Sequence, residues 1–328
     1  MIHSISVFQS TCTDPYYNIA TEKYLLENVK KGQCILYLWQ NKNTVVIGRN
    51  QNAWAECRTS LLEQEGGTLS RRLSGGGAVY HDLGNLNFTF IVPTEDYDLD
   101  RQLFVIQTAC RNLGIDAVRS GRNDLLADGK KFSGNAFYHS KGQSYHHGTL
   151  LVDVDMEKLS RYLSPPKAKL EAKGVASVRS RVTNLNAFVP SLTCDQLCIQ
   201  MCNAFAAVYG HTPSTVVLDD AAAAKIAQDR DILASWDWLY GTKLPLSFSC
   251  DAYFSWGYIQ LQLQVDAGTV AAAKVYSDAM DWSIAENLEQ TLTGCRFQTD
   301  ALQQAIQSIN MDVSIINDLC TLISSQEI

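Results

Sequence analysis

Apolar positions take up helical spacing first at Ile19, Leu25, Leu26 and Val29. They follow Asp14-Pro15, a helix cap with proline at the first helical position, and together they predict a helix of about four turns. Two β-rich runs come next, Cys34 to Trp39 and Thr44 to Ile47, and the turn-like Asn41-Lys42-Asn43 between them predicts a hairpin. Asn52 is placed to cap a second helix running through Leu62, which Gly66-Gly67 would stop. From Thr68 to Val92 strand-like runs alternate with glycines and end at Pro93; a third helix spans about Leu99 to Leu113 and closes at Gly114. Between Ala117 and Asp153 short strands are punctuated by Gly121, Asp128-Gly129, Lys141-Gly142 and Gly148. That is the pattern of an antiparallel meander, and it disfavours a doubly wound nucleotide-binding sheet. Helical segments follow at about 156–163, 167–173 and 194–209, and Ala221 to Ala224 is a brief helix-favouring run. Gly241 to Cys250, with Pro245, has the composition of a linker. Strand-like Ile259 to Val265 and Ala272 to Tyr276, with two or three helical stretches behind them, then predict a small second domain. The expected division is residues 1–243 and 250–328.

Composition sharpens this picture in three ways. The chain has 328 residues, 46% hydrophobic and 19% charged, which is ample apolar material for packed cores and excludes a disordered or fibrous protein. Lys and Arg number 27 against 34 Asp and Glu, a net charge of -7 with no dense basic stretch, so a protein that neutralises nucleic-acid phosphates is not expected. Ten cysteines without paired CxxC spacing read as reduced thiols rather than a disulfide framework. The start, MIHSISVFQSTCTD, lacks the basic residues and apolar run of a signal peptide, and no eighteen consecutive residues are apolar. A soluble cytoplasmic protein without a membrane partner is the expectation.

Four stretches could carry chemistry. Arg71-Arg72-Leu73-Ser74-Gly75-Gly76-Gly77 continues into Ala78-Val79-Tyr80-His81-Asp82. Consecutive glycines allow positive φ and let N–H groups turn together toward an anion, with the arginines supplying charge. The same residues would equally make a flexible turn with solvated arginines; no Walker A or GxGxxG pattern is present. Gly121-Arg122-Asn123-Asp124 leads into Asp128-Gly129-Lys130-Lys131, where the Asp-Gly turn starts a return strand. Alternation lets only one of Lys130 and Lys131 face a pocket, and either would serve as a solvated hairpin residue. His146-His147 sit on opposite faces of a strand and so cannot share a metal; one imidazole is free to pack on a ligand while the other serves structure. Cys194, Cys198 and Cys202 recur on one helix face behind Thr193 and read as buried small hydrophobes.

Arg71 to Asp82, Gly121 to Asp124, Lys131 to Asn135, His146 to Leu151 and Lys173-Gly174-Val175-Ala176-Ser177-Val178-Arg179-Ser180-Arg181-Val182-Thr183-Asn184-Leu185, with Asn41 to Asn52 including Val45-Val46-Ile47-Gly48-Arg49-Asn50-Gln51-Asn52, resemble the lipoate-protein ligase A family in order and spacing. The resemblance runs over essentially the whole chain and is weakest after about residue 245. It implies an α+β fold: a class II synthetase-like, biotin protein ligase-like catalytic domain with a mostly antiparallel sheet, followed by a small α/β C-terminal domain. The implied activity is ATP- and Mg²⁺-dependent conversion of lipoate to lipoyl-AMP, then transfer to a lysine of a lipoyl domain. The implied acceptors are 2-oxoacid dehydrogenase acyltransferase subunits and the glycine-cleavage carrier protein. The resemblance gives Lys131 the central role, bridging the acyl carboxylate and the α-phosphate, with Arg72 assisting at phosphate. It places Ser74, Gly75, Gly76, Gly77 and His81 over the substrate and Glu22, Trp39, Tyr145 and His147 around the acyl tunnel, although Trp39 would serve equally as a core tryptophan. Asn85, Asp124, Gly174, Val175 and Arg181 are its further nucleotide contacts, Asp124 also being a candidate Mg²⁺ or ribose ligand. Residues 173–185 would form a loop folding over the adenylate. Rival readings are an ATP-independent octanoyl or lipoyl transferase using a cysteine, a transferase of preformed lipoyl-AMP, and a lipoyl-domain-binding protein without activation chemistry.

Overall fold

A computed structural model describes residues 1–121, 124–163, 182–241 and 247–326. Its largest element is an eight-stranded mixed sheet. The strands are β1 (Ser4–Gln9), β2 (Gln33–Trp39), β6 (Asn85–Pro93), β7 (Ala117–Ser120), β8 (Asp124–Ala127), β9 (Lys130–Ser140), β10 (Gln143–Leu151) and β11 (Ser214–Thr215), in the spatial order β11-β1-β2-β6-β10-β9-β8-β7. The meander from β7 to β10 is antiparallel throughout, as the glycine spacing predicts, whereas β1 pairs in parallel with both β2 and β11. Period-two alternation divides the sheet's faces. Leu36, Leu38, Phe88, Phe90 and Leu150 point into a core shared with the helices Leu99–Asn112 and Cys194–Tyr209. Tyr37, Trp39, Ile91 and Tyr145 face the other way, against the helix Pro15–Asn28. Asp14 caps that last helix through Tyr16 N, with Pro15 at its first turn, as the sequence indicates.

Three expectations need correction. Strand β3 (Thr44–Ile47) forms no hairpin with β2. It lies between β4 (Thr68–Arg71), in parallel, and β5 (Val79–His81), antiparallel, because both edges of β2 are already taken by β1 and β6. The helix expected from Asn52 to Leu62 is two short helices, Ala53–Glu56 and Thr59–Gln64. Cys57 between them leaves helical geometry to bridge Leu163, and Arg58 N–H is bonded to Tyr162 O at 2.9 Å. The stretch read as linker also contains a strand, β12 (Phe248–Phe254), which pairs with β13 (Gly257–Asp266) and through it with β14 (Thr269–Ser277). Residues 242–246 and the expected helix at 167–173 lie outside the described residues.

Around β12, β13 and β14 the helices Ser283–Leu292, Thr299–Gln307 and Val313–Ser324 close a second hydrophobic core, built on Leu261, Val275, Leu288 and Leu319. Among the described residues no helix is long and apolar enough to cross a membrane.

Candidate functional site

The face of the large sheet beneath the helix Pro15–Asn28 is polar where a core strand would ordinarily be apolar. Asn85, Asn87 and Thr89 alternate along β6; Asn87 lies opposite Trp39, and Thr89 lies between Tyr37 and His147. All three are buried. The Trp39 indole donates to Thr89 Oγ1 at 3.2 Å, and the Thr89 hydroxyl donates to Glu22 Oε1 at 2.7 Å. Glu22 Oε1 also meets His147 Nδ1 at 2.8 Å, while His147 Nε2 lies 2.9 Å from Ser74 Oγ. Glu22 is completely buried because the helix that carries it packs on β6 and β10. His81, edge-on to Trp39, has its Nδ1 3.2 Å from Asn41 Nδ2, and burial pushes its pKa down to about 3, so the ring is neutral. Glu22 Oε2, His81 Nε2, Asn85 Oδ1, Asn87 Nδ2 and the Tyr145 hydroxyl are all buried without a well-formed hydrogen bond. So many orphans in one small region exceed what a structural core tolerates and are the mark of a site that a polar-ended ligand completes.

Above this face the Ser74–Gly77 loop is held from within. The Arg72 guanidinium donates to Gly75 O at 2.7 Å, Gly77 O at 2.8 Å, Ser74 Oγ at 3.1 Å and Val46 O at 3.2 Å. Arg71 likewise gives its donors to the carbonyls of Gly48, Arg49 and Gln51. Both arginines are buried, and burial pushes each down to about 10. The reading of this stretch as a turn with solvated arginines is therefore overturned. The glycine N–H groups do not all converge on one point either, since Gly76 N–H, at φ +87°, is bonded to Ala279 O. A Cβ at Gly48 would stand 2.2 Å from Gly76 O, and one at Gly75 would stand 2.2 Å from Ala279 O, so both positions admit only glycine at these spacings.

Ala279 belongs to the connection after β14, which lies across the loop. Ser277 N–H reaches Asn50 O at 2.9 Å and the Asn50 side chain donates to Trp282 O at 2.6 Å. The Trp282 ring stacks on Tyr138 at 5.5 Å, and the Arg49 guanidinium sits 4.7 Å from the Trp282 centroid and 5.5 Å from that of Trp238.

Lys131 owes its direction to an irregularity. Leu125 pairs with Ser133 but Leu126 pairs with Lys131, so Phe132 is an extra residue in β9. Strict alternation back from Ala136 would turn Phe132 toward the site and Lys131 toward the core. With the bulge, Phe132 is fully buried in the core and the Lys131 ammonium stands 2.7 Å from Asp124 Oδ1, beside Gly134, where any Cβ would meet it at 3.0 Å. Lys130 is exposed. Val182 bridges Lys131, and Thr183 N–H is bonded to Lys131 O at 2.9 Å, so the chain re-enters the described structure next to this lysine. Gly174, Val175 and Arg181 lie outside the described residues, as do Arg122 and Asn123. Among the described residues no three His, Cys, Asp or Glu side chains gather as a metal site, and the Asp124 carboxylate is engaged by Lys131.

His146 faces the opposite core, as alternation requires, with Nε2 2.8 Å from Asn135 Oδ1 and Nδ1 3.2 Å from Gln102 Oε1. Cys198 is buried, and Cys194 and Cys202 pack beside it; all ten cysteines are free, and burial pushes Cys194 and Cys198 up to about 12. From sequence, Arg49 and Asn50 are named only within a motif, without a role, and Asn87, Thr89, Tyr138 and Trp282 are not singled out. Asn87 and Thr89 are signalled by polar residues at period two in an otherwise apolar strand. An open cavity of about 750 Å³ is lined by Lys42, Asn43, Tyr80, Asp82, Asp153 and Lys158 among others, and by neither Lys131 nor the residues of the polar face.

Comparison with known proteins bears on this geometry. A family model described as the lipoyl protein ligase A/B catalytic domain matches residues 14–206, and one for the bacterial lipoate protein ligase C-terminus matches residues 245–321. A protein named lipoate-protein ligase A from Bdellovibrio bacteriovorus is 38% identical over 315 residues, 94% of this chain and 93% of that one. The crystal structure of P. falciparum LipL1 in complex with lipoate superposes with a TM-score of 0.88 at 26% identity, covering 98% of this chain and 100% of the other. A lipoate-protein ligase A bound with ATP superposes with a TM-score of 0.63 at 25% identity over 74% of this chain and 99% of the other.

Proposed function

This chain belongs to the lipoate-protein ligase A family, and from that premise we propose that it activates lipoate with ATP to lipoyl-AMP and transfers the lipoyl group to a lysine of a lipoyl domain. The acceptors are lipoyl domains of 2-oxoacid dehydrogenase acyltransferase subunits and of the glycine-cleavage carrier protein. The observation that carries the reading is the bulge at Phe132, which spends a core register to bring the Lys131 ammonium out beside Gly134. A cation held there neutralises the charge that builds when the lipoate carboxylate attacks the α-phosphorus and pyrophosphate leaves. In the second step it polarises the mixed-anhydride carbonyl as the acceptor amine attacks and AMP departs.

Other residues serve by position. The polar face with Glu22, Trp39, His81, Tyr145 and His147 receives the acyl chain, with Ser74, Gly75, Gly76 and Gly77 over it. Arg72 acts through the loop it clamps and Asn85 from the sheet floor. Gly174, Val175 and Arg181 are nucleotide contacts on the resemblance alone. Asp124, already paired with Lys131, offers a hard cation a single carboxylate, so a Mg²⁺ ion would be held chiefly by the nucleotide's phosphates, whose charge it would screen. Burial pushes Cys34, Cys57, Cys110, Cys194 and Cys198 up to about 12, the opposite of an activated nucleophile, which supports ATP-dependent activation over transfer by any of these five thiols. Purified protein is expected to exchange labelled pyrophosphate into ATP only when lipoate is present. Octanoyl transfer from acyl carrier protein without ATP, and no such exchange, would refute the reading.

A further inference from the structure

With Phe132 as the extra residue in β9, Gly134, Ala136 and Tyr138 follow one another on the strand's site face. Gly134 marks the head of this row, because a Cβ there would stand 3.0 Å from the Lys131 ammonium. Ala136 pairs with His147 and Tyr138 with Tyr145 across on β10, and the two tyrosine rings stack at 5.2 Å. The row thus runs from the cation that would receive a carboxylate to the residues that would surround an acyl tail.

What stands against the far half of the row comes from the C-terminal unit. A Cβ at Gly76 would lie 3.4 Å from Met280 Sδ and 3.9 Å from Ala136 Cβ, so the thioether and the alanine methyl close on one point beside the glycine loop. The Trp282 ring lies on Tyr138 at 5.5 Å and is backed by the Arg49 guanidinium at 4.7 Å. Neither side chain serves the core of its own unit: among the described residues that core includes Ala279 but neither Met280 nor Trp282. Their backbone is firmly set. Ala279 N–H donates to Ser277 Oγ at 3.0 Å, and the Ser277 hydroxyl donates to Tyr258 O at 2.7 Å. Gly76 N–H on Ala279 O and the Asn50 side chain on Trp282 O tie the segment to the large unit on both sides of Met280. A flexible thioether beside a flat indole, held at both ends, can mould to an apolar tail and then stop it.

We propose that Met280 and Trp282, with Tyr138, are the specificity-determining end wall of the acyl site, so that the C-terminal unit sets the longest chain the large unit accepts. This rests on the reading that the polar face takes an acyl chain whose carboxylate meets Lys131. The stretch of β9 from Gly134 to Tyr138 covers about 13 Å of extended strand. Carbons joined at about 1.5 Å and about 111° advance about 1.25 Å per bond, so an acid of about eight carbons extends about 9 Å. A contact distance of about 3.5 to 4 Å beyond its last carbon fills the remainder. A chain of about ten carbons or more meets Tyr138 and Trp282 while its carboxylate is still at the lysine. It must then fold back, give up Lys131, or push the 279–282 segment off the glycine loop.

The test titrates full-length protein with straight-chain carboxylates from hexanoate to dodecanoate, without ATP, by calorimetry. Wild type is expected to gain about fourfold in affinity per added methylene as far as octanoate, and to lose affinity beyond decanoate. In Trp282→Ala and in Met280→Ala the gain continues, raising the ratio of dodecanoate to octanoate affinity by about tenfold or more. Trp282→Phe, smaller but still flat, should move the limit less. Ala136→Leu, which fills the row, should move it the other way, so that hexanoate binds better than octanoate. Thermal melting checks folding, and Met280→Ala keeps the proposal testable if loss of the indole unfolds the protein. A wild-type gain that runs on to dodecanoate, a limit at the same length in the folded variants, or an equal loss at every length overturns it, since a purely structural role changes affinity without changing its dependence on length. Pyrophosphate exchange driven by octanoate on the same preparation separates the two readings. Exchange with an unmoved limit refutes the end wall alone, and a limit that moves without exchange refutes the ligase reading alone.

Discussion

Replacing Gly75 by alanine should detach the C-terminal unit from the glycine loop while leaving both hydrophobic cores folded. Gly75 does not have a left-handed φ, so alanine can adopt its backbone and the substitution isolates one contact. The new Cβ would stand 2.2 Å from Ala279 O and 2.7 Å from Met280 O, both backbone atoms that cannot rotate aside. Ordinary contact begins near 3.4 Å, so the 279–280 segment must retreat by about 1.2 Å. That exceeds what the hydrogen bonds there tolerate: Gly76 N–H to Ala279 O at 3.1 Å, Ser277 N–H to Asn50 O at 2.9 Å, and Asn50 to Trp282 O at 2.6 Å. Each hydrogen bond is worth about 0.5 to 1.5 kcal/mol, and the stacking of Trp282 on Tyr138 and Arg49 adds about 1 to 2 kcal/mol. The loss is therefore on the order of 3 to 5 kcal/mol, and the amides of Gly76 and Ser277 should exchange with solvent about 10² to 10⁴-fold faster. Amides pairing β13 with β14 serve as the internal reference, because the second core does not depend on this contact. If the Gly76 and Ser277 amides keep wild-type protection in a folded Gly75→Ala protein, the latch as described is refuted.

Lys131→Ala should lower lipoate-dependent pyrophosphate exchange by about 10² to 10³-fold and Lys130→Ala should not; equal effects would show that the bulge does not set the direction of the strand. His146 is pushed down to about 3 by burial, against about 6.5 in an unfolded chain, so its contribution to stability is present above pH 6.5 and is lost as pH falls toward 3. Denaturant melts between pH 7 and 4.5 should show His146→Gln taking up about one proton fewer on unfolding; an unchanged slope would count against a neutral buried ring. Burial pushes Asp229 up, but hydrogen bonds from Lys23 and Lys225 outweigh it and hold the carboxyl below its ordinary value. Asp229→Asn should therefore destabilise the protein at neutral pH, with the difference from wild type shrinking as pH falls below about 3.9; a difference independent of pH would refute the ion-pair account.

What the chain settles locally could be read from its residues. Asp14 and Pro15 start one helix, and Thr193 with Gln196 forms the capping box that starts the helix Cys194–Tyr209, since a cap needs only side chains within three residues of the free N–H groups. The antiparallel meander follows from turn residues such as Asp128-Gly129, and the opposite facing of His146 and His147 from the strand's period of two. Tertiary structure decided which strand β3 would join, because strand edges carry the same backbone groups and a neighbour's availability depends on distant segments. It turned Arg72 inward onto carbonyls that local composition presents as a solvated loop. It inserted Phe132 as an extra residue and so reversed the face of Lys131, which no period count over β9 alone predicts. The line from Trp39 through Thr89, Glu22 and His147 to Ser74 joins residues 50 to 125 positions apart. Each link is a direction of donation between side chains, and such directions exist only once packing has excluded water and brought the partners within 3 Å or so of one another.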